Sequence, residues 1–426
     1  MIHDTATHTN TMIYQIARRL YSRGSGTKAT ASATNIATAG VAVGILVMVI
    51  SLSITTGFQG QIRQRVAQTS GHVQIINCRG LFRNSTDPIQ INDSLYNVLS
   101  AIPGVNSVQR YAQTLGILKT DSTFLGITLR GTGPDAPPAF ISHHLTQGIM
   151  PHYQTTSSFT PNDSIIISEN TALRLRLHPG DRVYAYFFNR GTLKARRLTI
   201  AAIFQTHLSD IDNQIVLADA RLVQQLMQWQ PDQYSAAQIT ITTYDSIPRI
   251  ASAINRRLIH HRDPYGAYYA SPTVSELHPQ IFSWLSLLDT NVIAILILMT
   301  LVAIVTMTSG LLIIILERTP FIGIMKAMGA TNTQLRHIFL SLAIIIILRG
   351  VIIGNSIALL LLIFQHHTHL LTLDPVSYYL SYVPVAFPWV KIAIVNIATI
   401  IISTGALIIP SYIVSHIHPA RSIKFE

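Results

Sequence analysis

Imidazoles at His366, His367 and His369 form a cluster of side chains that could bind a metal. No carboxylate or cysteine stands at ligand spacing beside them, so an interfacial polar turn is the expectation. The pairs His143-His144 and His260-His261 carry the same expectation. There is no GxxxxGKS/T loop to cradle nucleotide phosphates, and neither HExxH nor GxSxG occurs. We therefore expect no catalytic residue, no metal site and no cofactor held by this chain.

Arg349 and Asn355 are the polar groups least easily dismissed. Arg349 falls about ten residues into a strongly apolar run, where a charge is costly unless it pairs, snorkels or faces a cavity. Either it lines a polar route with Asn355, or backbone carbonyls and water satisfy it at a helix interface. No acidic residue lies deep in any of the apolar runs.

Those runs are the elements that must position everything else. Residues 290–316 hold no charge and exceed the roughly 20 residues needed to cross a bilayer. Comparable runs cover 29–58, 338–364 and 392–410, giving four expected spans. The first begins too far into the chain and runs too long for a cleaved signal peptide. Hydrophobic residues make up 49% and charged residues 12% of the 426 positions, yet the apolar runs fill under a third of them. The rest is mainly residues 59–289, an expected α+β domain with strand-rich centre and Pro/Gly punctuation. Expected strands include His72–Ile76, Gly116–Lys119, Phe124–Arg130, Ser164–Ser168, Val183–Phe188, Leu198–Phe204, Gln214–Ala218 and Ala237–Tyr244. Expected helices are Asn170–Leu177, Ala220–Trp229 and Pro248–His260, with Gln59–Ala67 and Val274–Leu288 as helical stalks. The fold class expected is thus a polytopic α-helical membrane protein with four transmembrane helices and a large α+β extracytoplasmic domain between spans one and two.

A net charge of +11 raises nucleic acid as a partner, but Lys and Arg are scattered rather than grouped. Pairs such as Arg196-Arg197 and Arg256-Arg257 suit solvated faces, an acidic surface or lipid head groups. The single cysteine, Cys78, excludes an intrachain disulfide framework. Short loops set the orientation. Arg18, Arg19, Arg23 and Lys28 precede span one; Arg318, Lys326 and Arg336 join spans two and three; Arg421 and Lys424 end the chain. The loop 365–391 between spans three and four carries Asp374 and, up to Val390, no Lys or Arg. Both termini are expected in the cytoplasm and the large domain across the membrane.

Two cytoplasmic parts have local logic. In the arm 1–28, Ile13, Ile16, Ala17, Leu20 and Tyr21 fall at helical spacing among arginines, as in a helix lying on the inner leaflet. In the loop 317–337, Pro320 suits a first helical turn, while Phe321, Ile324, Met325 and Met328 make one apolar face. Gly329 can close that helix, and Thr331 with Gln334 resembles a capping box opening the next. An apolar face of this kind binds lipid when left alone and a protein groove when offered one. Periodicity does not choose between them.

Several stretches resemble a known family. Ile16-Ala17-Arg18-Arg19-Leu20 is similar to an IAxRxL arm, residues 53–58 to a SxxxGF span end, and 71–75 to a GHVxI strand. Residues 317–339 (ERTPFIGIMKAMGATNTQLRHIF) resemble ERTxEIGIxKAxGAxxxQIxxIF, 168–183 resemble a turn ending in GDxV, and 419–426 resemble a PAxAIRFE ending. The pattern is that of the FtsX/MacB-type (type VII) ABC transporter permeases, most similar to the LolC/LolE subunits of lipoprotein-releasing systems. Pro320-Phe321 and Arg349-Gly350 depart from it.

The resemblance implies a non-catalytic subunit whose ATP and Mg are bound by a separate LolD-like ATPase. It implies that Glu317, Phe321, Ile324, Met325, Lys326, Met328 and Gly329 belong to the coupling helix and its surroundings. Expected partners are that ATPase, a second permease (a second copy or a paralogue), membrane lipids, lipoprotein cargo and a periplasmic carrier. The expected place is the inner membrane, with the large domain periplasmic. MacB-like efflux and FtsX-like regulation of cell-wall hydrolases are the alternatives, the latter disfavoured by the size of the outer domain.

Overall fold

The computed structural model describes residues 28–83, 87–121, 123–133, 135, 144–151, 162–189, 191–206, 212–258, 261–374 and 380–412. The arm motif at 16–20, the tail motif at 419–426, His143 and His260 lie outside the described residues. The principal elements, in chain order, are α1 (Lys28–Ser70), β1 (Val73–Asn77), β2 (Ile89–Gln90), α2 (Asp93–Ser100), β3 (Val105–Lys119) and β4 (Phe124–Thr132). There follow β5 (Leu145–Gly148), β6 (Ser164–Ser168), α3 (Glu169–Leu175), β7 (Arg182–Asn189), β8 (Thr192–Phe204), β9 (Ile215–Asp219) and α4 (Ala220–Met227). The chain continues through β10 (Gln233–Tyr234), β11 (Ala236–Ile241), α5 (Ile247–Leu258), β12 (Tyr269–Ala270), α6 (Pro279–Glu317), α7 (Thr319–Ala327), α8 (Asn332–Thr368) and α9 (Trp389–Ala406). Two compact units result: Met1–Gly60 with Trp284–Thr372 and Tyr382–Glu426, and Gln61–Ser283 with Leu373–Ser381.

The first unit is helical. Four helices are long and apolar enough to cross a membrane: Ser32–Ser70, Pro279–Glu317, Asn332–Thr368 and Trp389–Ser411. Every backbone group within such a helix is satisfied internally, which is what hydrocarbon demands. Ala37, Val41, Ile45 and Met48 of α1 are buried against an apolar cluster that includes Met307 and Leu311 of α6 and Ile346 and Ile347 of α8. The opposite flanks of α6 and α8 leave Ile297, Leu301, Val305, Ile352 and Leu360 exposed, as helix faces toward lipid do.

Close approach in this bundle is made by small residues. Gly350 and Gly354 stand one turn apart on α8, and a Cβ on Gly354 would lie 2.5 Å from the Ala42 carbonyl oxygen of α1. At Gly350 it would lie 2.8 Å from Val41 Cβ. The spacing is that of a small-xxx-small contact, in which missing side chains let two backbones meet.

The second unit is α+β. Ten strands form one mixed sheet in the order β12-β1-β11-β3-β4-β9-β6-β8-β5, with β7 pairing β3 and β8, and β2 pairs β10 separately. The β4–β9 and β6–β8 pairs are parallel. Along β7 the period of two buries Val183, Ala185 and Phe187. These join Val73, Ile75, Leu129 and Ile239 in one core, against which α2, α4 and α5 bury Leu99, Leu222 and Ile254. Side chains of Asn92, Ser168 and Asp219 cap α2, α3 and α4 by accepting from Leu95, Thr171 and Arg221 N–H groups.

Departures from the expected elements have local causes. Strand β3 starts at Val105, well before Gly116, because residues 105–111 pair with β11, and Arg110 in its middle is accommodated by Asp135 at 2.6 Å and Asp93 at 2.8 Å. Such partners are invisible to a periodicity count. Helix α3 ends at Leu175 rather than Leu177, since Arg176 takes a left-handed conformation at φ 55°. The stretch 274–288 is not one stalk helix. Val274–Leu277 forms one helical turn opened by a Thr273/Glu276 capping box, and α6 begins afresh at Pro279.

Candidate functional site

The charged insert between the second and third membrane helices folds as α7. Pro320 occupies its first turn, Arg318 precedes it without a side-chain cap, and Gly329 at φ 93° lies just beyond its C-terminal cap, Met328. The next helix opens on a reciprocal capping box: Gln334 N–H donates to Thr331 Oγ1 at 3.3 Å, and Thr331 N–H donates to Gln334 Oε1 at 3.0 Å.

The apolar residues of α7 divide between two directions. Ile322 is 0% exposed and belongs to the bundle core, with Met325 packed against that core. Ile324 and Met328 are 54% and 69% exposed. Phe321 and Lys326 are half-buried. Ile322 was absent from the face expected from spacing, and with Met325 it anchors α7 on the bundle.

Glu317 closes α6 immediately before this helix. Its Oε2 is buried and makes no hydrogen bond among the described residues. A carboxylate at a helix C-terminus also faces the negative end of the macrodipole. Nothing here makes Glu317 a stabilising residue for the isolated chain.

Arg349 and Asn355 are not brought together. Arg349 is on the exposed flank of α8, while Asn355 is half-buried and turned toward α9. Asn355 Nδ2 donates to Asn396 Oδ1 at 3.1 Å and to the Val351 carbonyl at 2.8 Å, and Asn396 Nδ2 donates back to Asn355 Oδ1 at 3.2 Å. Asn396 was missed in the sequence because a single uncharged amide does not interrupt an apolar run. At the end of α8, buried Gln365 donates to the Leu371 and Val383 carbonyls, each at 3.3 Å, and accepts from Leu371 N–H at 3.0 Å. This amide ties Leu371 to Val383, the residues that flank the Thr372–Tyr382 bridge.

The histidines beside it make ring contacts. His366 meets His367 edge-on at 5.6 Å, and His369 lies 4.1 Å from the Tyr382 ring. Among the described residues no group of three or more His, Cys, Asp or Glu is placed to hold a metal ion. In the α+β unit, Arg110 shows a structural use of charge: burial disfavours its cation, but hydrogen bonds to Asp135 and Asp93 outweigh this and raise its pKa.

These features define a polytopic membrane protein with a large periplasmic-type α+β domain inserted after the first span. The MacB-like periplasmic core domain model matches residues 34–257, more than half of the chain, and the FtsX-like permease C-terminal model matches residues 293–419. The chain belongs to the FtsX/MacB family of ABC transporter permeases, a family of non-catalytic subunits.

Its relatives include the lipoprotein-releasing system transmembrane protein LolC of Xylella fastidiosa, 20% identical over 406 residues, covering 91% of this chain and 92% of that protein. LolE of the same named system in Haemophilus influenzae is 20% identical over 413 residues, with 90% and 92% covered. Among solved structures, the extracellular domain of the noncanonic ABC-type transporter YknZ from Gram-positive bacteria is 15% identical with a TM-score of 0.31, covering 47% of this chain and 99% of that one. The periplasmic region of MacB from Actinobacillus actinomycetemcomitans is 13% identical with a TM-score of 0.34, covering 50% and 95%.

Proposed function

We propose that this chain is the membrane subunit that couples ATP hydrolysis on a separate LolD-like ATPase to the release of lipoproteins from the inner membrane. The chain lies in that membrane with both termini cytoplasmic and the α+β unit periplasmic, paired with a second permease. The observation that carries the reading is α7: it is held by Ile322 and leaves Ile324 and Met328 uncovered between two membrane helices. An apolar helix face of this kind docks in a groove by anchors at i and i+4. LolC- and LolE-named relatives that match nearly the whole chain support lipoprotein as the cargo. Glu317, Phe321, Ile324, Met325, Lys326, Met328 and Gly329 form the coupling region, and ATP and Mg are held by the partner.

The structure refines which side chains to test. Met325 packs on the bundle, so an aspartate there would damage the membrane unit as well as any interface. Ile324→Asp and Met328→Asp act on exposed positions and should leave the chain folded. Purification in mild detergent with mass spectrometry of associated proteins should find an ABC ATPase and a lipoprotein with the wild type, and no ATPase with the double variant. Recovery of a periplasmic adaptor without lipoprotein would favour efflux, and intact ATPase association in the double variant would refute coupling through α7.

A further inference from the structure

The mixed sheet of the α+β unit has its large core on one face. On the other lies a cavity of about 290 Å³, floored by β11, β3, β4 and β9 and edged by Gln68 and Thr69 at the end of α1. Strand register places its floor: Gln238 pairs with Gln109, and Arg130 pairs with Leu217. The cavity has two chemical halves. In the first, the Arg130 guanidinium lies 4.0 Å over the Tyr111 ring and donates to Gln238 Oε1 at 2.6 Å and to the Thr69 carbonyl at 3.3 Å. In the second, Phe204, Ile215 and Leu217 belong to a small apolar cluster separate from the main core.

The electrostatics of this lining are one-sided. No Asp or Glu is among its described residues. Arg110 also reaches the cavity but is committed to Asp93 and Asp135. Arg130 has no carboxylate partner among the described residues, and burial pulls its pKa below the ordinary value. A guanidinium carries five N–H donors in a planar fork, and the hydrogen bonds to Gln238 and Thr69 use only part of that capacity. Such a group is served by an incoming carboxylate or phosphate, which restores the missing charge partner. In the adjoining apolar half Phe204 is buried while Ile215 and Leu217 are half-buried, a surface suited to hydrocarbon. A volume near the lower bound of roughly 300 Å³ for small-molecule sites suits one head group and a short chain, not a polymer.

We propose that this cavity binds a single-chain anionic amphiphile, with its carboxylate or phosphate on Arg130 and its chain against Phe204, Ile215 and Leu217. The site is independent of the coupling helix and of the cargo reading.

The test uses the full chain in lipid nanodiscs and a diazirine-bearing octanoate, with labelled peptides located by mass spectrometry. Labelling is expected within residues 124–132 or 215–219, and it should be suppressed by octanoate or octyl phosphate but not by octanol. The stronger of the two anionic competitors identifies the head group. Arg130→Met should reduce labelling at least about tenfold, the loss expected for a hydrogen bond to a charged group. Because Arg130 also supports Tyr111 and Gln238, Leu217→Trp provides a second variant that fills the apolar half and leaves the guanidinium in place; the same loss is expected. Labelling confined to membrane helices, equal suppression by octanol, or wild-type labelling in a Leu217→Trp protein that melts normally would each overturn the proposal.

Discussion

Asn355 and Asn396 exchange side-chain hydrogen bonds of 3.1 and 3.2 Å between the third and fourth membrane helices. Both amides are half-buried, and the second Asn355 N–H goes to the Val351 carbonyl on its own helix. Within hydrocarbon an amide left without a partner finds no water, so each residue is the other's remedy. Asn355→Leu should destabilise the bundle by roughly 0.5–2 kcal/mol, measured by unfolding in mixed SDS micelles. Asn355→Leu with Asn396→Leu should recover most of that loss, since no orphan amide remains. A double variant as weak as the sum of its parts would show that the pair does not act as a unit.

The neighbouring helix contact is steric. Gly354→Ala would set a Cβ 2.5 Å from the Ala42 carbonyl oxygen, and the helices would have to separate at a cost of about 1–3 kcal/mol. Gly405→Ala, where nothing lies within 4 Å, is the matched control and should be neutral or slightly stabilising through helix propensity. The two variants compared by the same unfolding assay separate packing from propensity.

Much of this architecture was legible in the residues, and the exceptions share a cause. Ser164–Ser168 appears as a strand at the expected bounds because SIIIS is β-branched and bracketed by polar residues. The membrane helices are visible because an uncharged run of that length has one physical use. Long-range pairing was not visible. Strand β3 hides Arg110 through two distant aspartates, and α2, though capped by Asn92 with Leu95 and Leu99 at helical spacing, is too short for periodicity to stand out. At α7 the spacing gave an apolar helix but not the partition of its faces. Ile322, flanked by Phe321 and Gly323, turns inward because α7 lies against the bundle, and that is a tertiary fact.

Glu317 separates stability from coupling. Its buried Oε2 is unbonded among the described residues, and it stands at the negative end of α6. Glu317→Gln should therefore leave the unfolding free energy unchanged or raise it by about 0.3–1 kcal/mol. On the proposed function it should nevertheless weaken ATPase association in co-purification. Loss of stability with association retained would assign Glu317 to the bundle instead.

His72 gives the α+β unit a pH dependence of known sign. Pairing between β11 and β3 slips at Thr240/Ile241, and the Ile241 N–H donates to His72 Nδ1 at 3.0 Å. The ring must be neutral at that nitrogen to accept, and it packs edge-on to Tyr244 with centroids 6.4 Å apart. Burial lowers the His72 pKa from its ordinary 6.5. Between the lowered folded value and 6.5 the unfolded chain binds more protons than the folded one, so stability rises with pH across that window. The contribution is complete above 6.5 and is lost as pH falls through the folded value. Thermal unfolding of the full chain between pH 5 and 7 should show this slope, and His72→Gln, which keeps an acceptor but cannot be protonated there, should flatten it. An undiminished slope in His72→Gln would place the titrating group elsewhere.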